Sequence, residues 1–343
     1  MGKTKTLRPK SRIAIVSPSS DTAGYFPAVY KRGEAALKDL FGLDVKLYPT
    51  TLSQNNSPED RARDLNAAFA DKNIEAIFTT IGGDDEVRIL KYLDKELIKN
   101  NPKPFFGYSD NTHLNLFLSS LGVPCYYGAS IMTQFAMAGG MDAYTVASLL
   151  NAVNCAGEVE IKEPSYCKEA DSDWMSEDGL SIEKKREKAL KMKWVTTQKE
   201  GEIKGELWGG CLECVFEYLA SGNPLNLGDS DKIIFIETAE DMPSSVHVKS
   251  AIQGMGERGI FKNVKALLVG RPKTLAFDKQ ISEKERVEYR KNQRKTIKNA
   301  FRQYSDAPII FNMSFGHTDP QLILPYGGEA RLDLKTQQIF IKY

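Results

Sequence analysis

Apolar residues in the first 130 positions alternate between short unbroken runs and stripes of helical period. Arg12-Ile13-Ala14-Ile15-Val16-Ser17 is a compact apolar run that stops in Ser-Pro-Ser-Ser, a strand followed by a loop. Residues 27–41 place Val29, Ala36, Leu37, Leu40 and Phe41 at helical spacing, and Leu43 to Leu47 returns to alternation. Ser57-Pro58-Glu59-Asp60 supplies a cap, a proline at the first helical position and acids in the first turn, predicting a helix to about Phe69. Ile74 to Ile81 is a buried strand ending at Gly82-Gly83, and Asp84 or Asp85 can cap a helix reaching Leu97. Pro104 to Tyr108 is a strand stopping at Ser109, followed by a helix over Asn111–Leu121 and a strand over Val123–Tyr127. Five strands alternating with helices predict a parallel sheet with right-handed crossovers.

Residues 165–200 break that rhythm. Lys168 to Glu200 is dense in acids and lysines, the pattern of a solvated surface insertion, although Tyr166, Trp174 and Trp194 also give it a functional reading. From Gly201 onward strands dominate. The expected elements are a helix over Gly210–Ala220, a strand over Asp231–Glu237, a helix over Val246–Gly256 and a strand over Val264–Gly270. A basic helix over 280–304, the run Ile309-Ile310-Phe311 and two short β-runs at 321–324 and 337–342 complete the chain. The expected partition is an α/β domain over 1–164, a charged insertion over 165–200 and a β-rich domain over 201–343. A length of 343 residues agrees with two domains.

Charge narrows the partners. Lys+Arg is 46 and Asp+Glu 45, a net charge of +1, so nothing electrostatic favours nucleic acid or an acidic membrane. No apolar run approaches the roughly 18 residues of a membrane span, and the basic N-terminus leads into polar residues, so no secretory signal is expected. Five cysteines include one C-x-x-C pair, Cys211 and Cys214, without a second pair or nearby histidines. Reduced, packed thiols, a cytoplasmic setting and no metal or other cofactor are the expectation.

In parallel sheets, chemistry gathers where strands end and helices begin. Gly107-Tyr108-Ser109-Asp110 puts a serine at such a junction, where it serves either as a helix cap or as an exposed nucleophile. Thr80-Ile81-Gly82-Gly83-Asp84-Asp85 is either a tight turn or a place where backbone amides meet a ligand oxygen. Of the three histidines, His317 lies in a Gly- and Pro-flanked loop suited to exposing a ring, His113 lies within the helix after Ser109, and His247 sits in a helix as a surface residue. Glu237 ends a buried strand, where a carboxylate needs a partner: a salt bridge or an imidazole.

Assembled in order, these segments resemble the LD-carboxypeptidase family of Ser–Glu–His serine peptidases, and most closely its microcin C self-immunity branch. The resemblance rests on Ile81-Gly82-Gly83, Gly107-Tyr108-Ser109-Asp110-x-Thr112-x-Leu114 and Trp208-Gly209-Gly210. It continues through Ile236-Glu237-Thr238 with Glu240-Asp241, Gly270-Arg271-Pro272 and Phe315-Gly316-His317-Thr318-Asp319-Pro320. It implies Ser109 as nucleophile, His317 as general base and Glu237 as its orienting carboxylate, with the N–H groups of Gly83 and Asp110 as oxyanion hole. It also implies a Rossmann- or flavodoxin-like N-terminal domain, a β-rich C-terminal domain carrying Glu and His, and a homodimer. The chain departs from the family pattern at Cys211, where asparagine is usual, at Gly128-Ala129 in place of Gly-Pro, and at His113 in place of a small residue.

Two substrates compete under this resemblance. One is a murein tetrapeptide losing a terminal D-amino acid; the other is a small molecule in which an amide joins an aminoacyl group to a nucleotide-like sulfamate or phosphoramidate. The insertion containing Asp173-Trp174-Met175 lies where the immunity branch has its substrate loop, which implies Trp174 as a stacking residue and Arg271 as an anion contact. A ligand-binding protein without chemistry and a flavodoxin-like electron carrier are the alternatives from other classes. The intact Ser109, Glu237 and His317 argue against the first, and the acidic Gly82–Asp85 turn against the second.

Overall fold

The computed structural model describes residues 6–176, 180–225, 227–275 and 281–343. Parts of two expected segments, residues 177–179 of the charged stretch and residue 280 of the basic helix, lie outside the described residues. The chain divides into two compact units whose segments interleave: described residues within 6–156, 173–183 and 322–326 form one, those within 157–172, 184–321 and 327–343 the other. Among the described residues no helix is long and apolar enough to cross a membrane.

The first unit is built on a six-stranded sheet. Its strands run, in spatial order, Asp44–Leu47, Arg12–Val16, Ala76–Thr79, Phe105–Gly107, Cys125–Tyr127 and Leu324–Pro325. The first five are parallel. Numbered along the chain, their order is 2-1-3-4-5, the flavodoxin-like arrangement, whose ligand crevice lies beyond the C-terminal strand ends. Rings of Phe78, Phe106 and Tyr126 stack across three neighbouring strands at centroid spacings of 4.4 and 4.7 Å. Ser57 caps the helix Pro58–Ala70 through a reciprocal bond with Asp60, as its sequence requires.

Two elements differ from the sequence expectation. The helix expected from Asp84 or Asp85 to Leu97 is a 3₁₀ segment, Glu86–Tyr92, followed by a separate α-helix, Lys95–Asn100. The chain is extended at Leu93, and Asp94 starts the second helix by accepting the Leu97 N–H at 3.0 Å. Asp85 makes no cap bond; its carboxylate pairs with Arg61 and Arg88. The β-run near 321–324 does not join the C-terminal sheet. Leu324–Pro325 pairs antiparallel with Tyr126 and Tyr127 at the edge of the first sheet. A two-residue strand carries no periodicity from which its partner could be read.

The second unit holds an eight-stranded sheet. Its four central strands, Glu202–Cys211, Lys232–Glu237, Val264–Gly270 and Ile309–Met313, are parallel. The helices Leu212–Ala220, Ser245–Glu257 and Glu283–Phe301 connect them in turn. The β-rich half therefore contains its own βαβ core, flanked by antiparallel edges. The charged stretch is partly interior, in contrast to a purely solvated insertion. Tyr166–Cys167 pairs with Glu187–Lys188, and Lys193–Val195 joins the sheet beside Ile309–Met313. Glu169 is buried, accepting from Arg290 at 2.6 Å and from the Thr274 N–H at 2.9 Å, while Arg286 pairs with Glu187 at 2.5 Å. Buried charges persist only when paired in this way.

Candidate active site

In the first unit the strand Phe105–Gly107 runs into a 3₁₀ turn, Ser109–Asn111, and then the helix Thr112–Ser120. Asn111, not Ser109, stands at the N-cap position of that helix. Ser109 has φ +63°, a left-handed conformation that costs a non-glycine residue about 1 kcal/mol or more. Its N–H donates to the Tyr127 hydroxyl at 3.3 Å, and its carbonyl accepts from Thr112 Oγ1 at 2.7 Å. Strain of this kind at a strand-to-helix turn is how a side chain is forced out of the helical path.

The glycine turn lies against this serine. A Cβ added at Gly82 would sit 2.9 Å from Ser109 Cβ, 3.1 Å from its Oγ and 3.3 Å from the Asp110 nitrogen. One at Gly83 would meet the Ser19 carbonyl and Ser20 Cβ, both at 2.9 Å. The Asp110 side chain locks the two turns together, Oδ2 accepting from the Asp85 and Glu86 N–H groups at 3.1 and 3.0 Å. Its other oxygen lies 3.4 Å from Nε2 of the buried His113. Glu86, also buried, accepts from Ser19 Oγ at 2.9 Å and from the Leu114 N–H at 3.0 Å. Burial, then the Asp110 charge, pushes its carboxyl well above the ordinary range.

In the second unit Glu237 is the last residue of a fully buried strand. Its Oε2 accepts from His317 twice: from ring Nδ1 at 2.8 Å and from the backbone N–H at 3.3 Å. The other ring nitrogen, Nε2, lies 2.8 Å from Glu240 Oε2. Burial opposes a charge on the ring, but the two carboxylates outweigh it and raise the imidazole's pKa well above the usual value. The imidazolium in turn holds Glu240 far below the ordinary carboxylate range.

Arg271, expected as an anion contact, is 1% exposed. Its guanidinium donates to Ser314 Oγ at 3.0 Å and Thr318 Oγ1 at 3.3 Å, bracing the loop that carries His317. Glu163 holds the same Ser314. Lys184 pairs with Asp319 at 3.0 Å, and Lys168 exchanges two backbone bonds with Asp319, so the charged stretch is anchored to that loop. Trp174, expected as a stacking residue, belongs to the first unit and meets Phe26 edge-on at a centroid distance of 5.6 Å. His247 is exposed on its helix.

Residues 13–128 match the LD-carboxypeptidase N-terminal domain and residues 204–332 the LD-carboxypeptidase C-terminal domain. The protein YocD of Bacillus subtilis (strain 168) is 31% identical over 338 residues, covering 95% of this chain and 94% of YocD. The chain belongs to the LD-carboxypeptidase family. A second Bacillus subtilis relative, named "Probable murein peptide carboxypeptidase", is 24% identical over 96% of this chain and 91% of its own length. Among solved structures, the MccF-like protein from Streptococcus pneumoniae in complex with AMP superposes with a TM-score of 0.82. It is 26% identical, over 97% of this chain and 99% of its own.

The three departures from the family pattern are all interior. Cys211 is buried at the end of its strand and pairs in register with Glu237; Ala129 is buried with φ +55°; His113 is buried with Nε2 3.4 Å from Asp110. Sequence reasoning did not find Glu240 as a partner of His317, Arg271 as an internal brace, or Glu86 beneath the serine turn. The pair Glu240-Asp241 stood in the motif, but nothing in its spacing says which ring nitrogen it meets.

Proposed function

We propose that this member of the LD-carboxypeptidase family is a serine-type amide hydrolase in which Ser109 is the nucleophile, His317 the general base and Glu237 the group that orients it. What supports the reading is the 2.8 Å bond from His317 Nδ1 to Glu237, which fixes the ring's tautomer and leaves Nε2 as the nitrogen for proton transfer. Ser109 comes from the first unit and the Glu–His pair from the second. Ser109 Oγ attacks the scissile carbonyl carbon while its proton passes to Nε2. The N–H groups of Gly83 and Asp110 receive the developing oxyanion. Nε2 then gives the proton to the departing nitrogen, leaving an acyl-serine that water, deprotonated by the same nitrogen, hydrolyses.

For the substrate we favour an amide joining an aminoacyl group to a nucleotide-like sulfamate or phosphoramidate. The AMP complex of the Streptococcus pneumoniae MccF-like protein supports this choice, as does an aromatic, Trp174, in the stretch expected to line the substrate. A murein tetrapeptide is the second reading, supported by the murein peptide carboxypeptidase name of the second relative. Purified protein is assayed against an aminoacyl-sulfamoyl adenosine and a murein tetrapeptide side by side, with Ser109→Ala as control. Faster, Ser109-dependent hydrolysis of the adenosine compound is expected. Turnover of the tetrapeptide alone would replace the first substrate with the second, and turnover of either by Ser109→Ala would remove the nucleophile.

A further inference from the structure

The imidazole of His317 is held from both sides. Glu237 takes Nδ1 at 2.8 Å, and Glu240, three residues further on, takes Nε2 at the same distance. Glu237 is buried, whereas the Glu240 side chain is 49% exposed and open to a solute. The two carboxylates therefore differ in kind: one is built into the strand end and the other can leave.

The charges around Glu240 show what could draw it away. From the strand end comes Glu237, and from the helix Leu212–Ala220 comes Glu213, which accepts the Ala239 N–H at 3.2 Å. Beyond the strand Val264–Gly270 stand Arg271, spent on Ser314 and Thr318, and Lys273, paired with Asp171. Among the ion pairs of the described residues, the partner of Glu240 is His317. The Lys273 charge also reaches Glu240, but the carboxylate's ion pair is with His317 alone among the described residues, so a cation carried by the substrate would compete with the ring for it.

We propose that Glu240 is a specificity-determining gate on the general base: it holds His317 Nε2 in the resting enzyme and is drawn off by a free ammonium group on the acyl part of the substrate. The proposal rests on the Ser109–His317–Glu237 reading and adds a substrate requirement to it. When Glu240 turns to the ammonium, the ring loses one of its two anions and the Nε2 proton passes to water. Nε2 is then unprotonated and able to take the Ser109 proton. An acyl group whose amine is blocked leaves the gate shut.

The test uses the intact protein, Glu240→Gln and His317→Ala. The substrates are alanyl-sulfamoyl adenosine and its N-acetyl form, and the probe is a neutral fluorophosphonate that labels Ser109. Wild type is expected to favour the free amine by about tenfold or more in kcat/KM, and Glu240→Gln to bring the two substrates near parity. Because the probe carries no cation, Glu240→Gln is also expected to label about tenfold faster near neutral pH, with the alkaline-rising limb of labelling moved to lower pH. A purely structural role would slow labelling at every pH, and that result overturns the proposal. So does an amine preference and pH profile in Glu240→Gln equal to wild type, while His317→Ala is inactive; the triad then stands without the gate. If His317→Ala labels as fast as wild type, the triad reading falls and the gate falls with it. If neither adenosine compound is turned over, the labelling profile decides alone.

Discussion

Gly316 faces the carboxylate of Glu237 so closely that a Cβ on it would overlap Oε2. The residue also has φ +94°, a conformation side chains rarely adopt. Glycine is therefore required beside the carboxylate that orients His317. Gly316→Ala is expected to push Glu237 off Nδ1 and lower kcat by about 100-fold, the usual cost of a misplacement near 1 Å. Turnover alongside a far-UV spectrum, which should stay native, checks this.

Ser109 pays a conformational cost as well as serving as the proposed nucleophile, and two substitutions separate the two. Ser109→Ala keeps the left-handed strain and should abolish turnover with little change in stability. Ser109→Gly should also be inactive but more stable than Ser109→Ala by about 1 kcal/mol, since glycine tolerates φ +63°. Urea unfolding of both variants measures the difference.

Burial, then the neighbouring Glu237 charge, raises Glu213 from the ordinary 4.5 to about 7. The sign is destabilising on the alkaline side. Between those values the unfolded chain releases the proton while the folded one keeps it, so stability falls as pH rises and the loss is complete above about pH 7. Glu213→Gln keeps an acceptor for the Ala239 N–H without the charge. Its stability gain over wild type should grow from near zero at about pH 4 to at most about 3 kcal/mol at about pH 8. Denaturant melts across that range decide it, and a gain that is flat with pH would remove the claim.

Trp174→Ala should weaken an aminoacyl-sulfamoyl adenosine far more than a murein tetrapeptide, by about 1–3 kcal/mol in kcat/KM, the worth of one base–aromatic stack. Equal loss on both substrates would mean that the ring serves only its contact with Phe26.

Much of the candidate site is legible in the sequence. Gly82 and Ser109 stand where apolar runs stop in glycine or serine, and Glu237 is the first charge after Ile233–Ile236, so local pattern places all three at or just beyond strand ends. The loop bearing His317 stood out because glycine and proline exclude regular structure there. Other features arise from contacts distant in sequence. The first 3₁₀ segment exists because Asp110 binds the Asp85 and Glu86 N–H groups, and Arg271 became a brace because Ser314 and Thr318 come to it from another strand's end. The split at Leu93 could have been suspected from Asp94, a good cap in mid-pattern, but helical spacing of the apolar residues masked it.

The short strand Leu324–Pro325 leaves the second unit just after the His317 loop, completes the edge of the first sheet, and the chain then returns to the second unit by residue 327. Neither half can therefore be excised by a single cut. A fragment ending near residue 164 would expose the unpaired edge at Tyr126 and Tyr127, a template for aggregation. For this molecule, gene fragments that look like separable modules would inherit an open seam, and swapping halves between relatives must carry that two-residue stitch along.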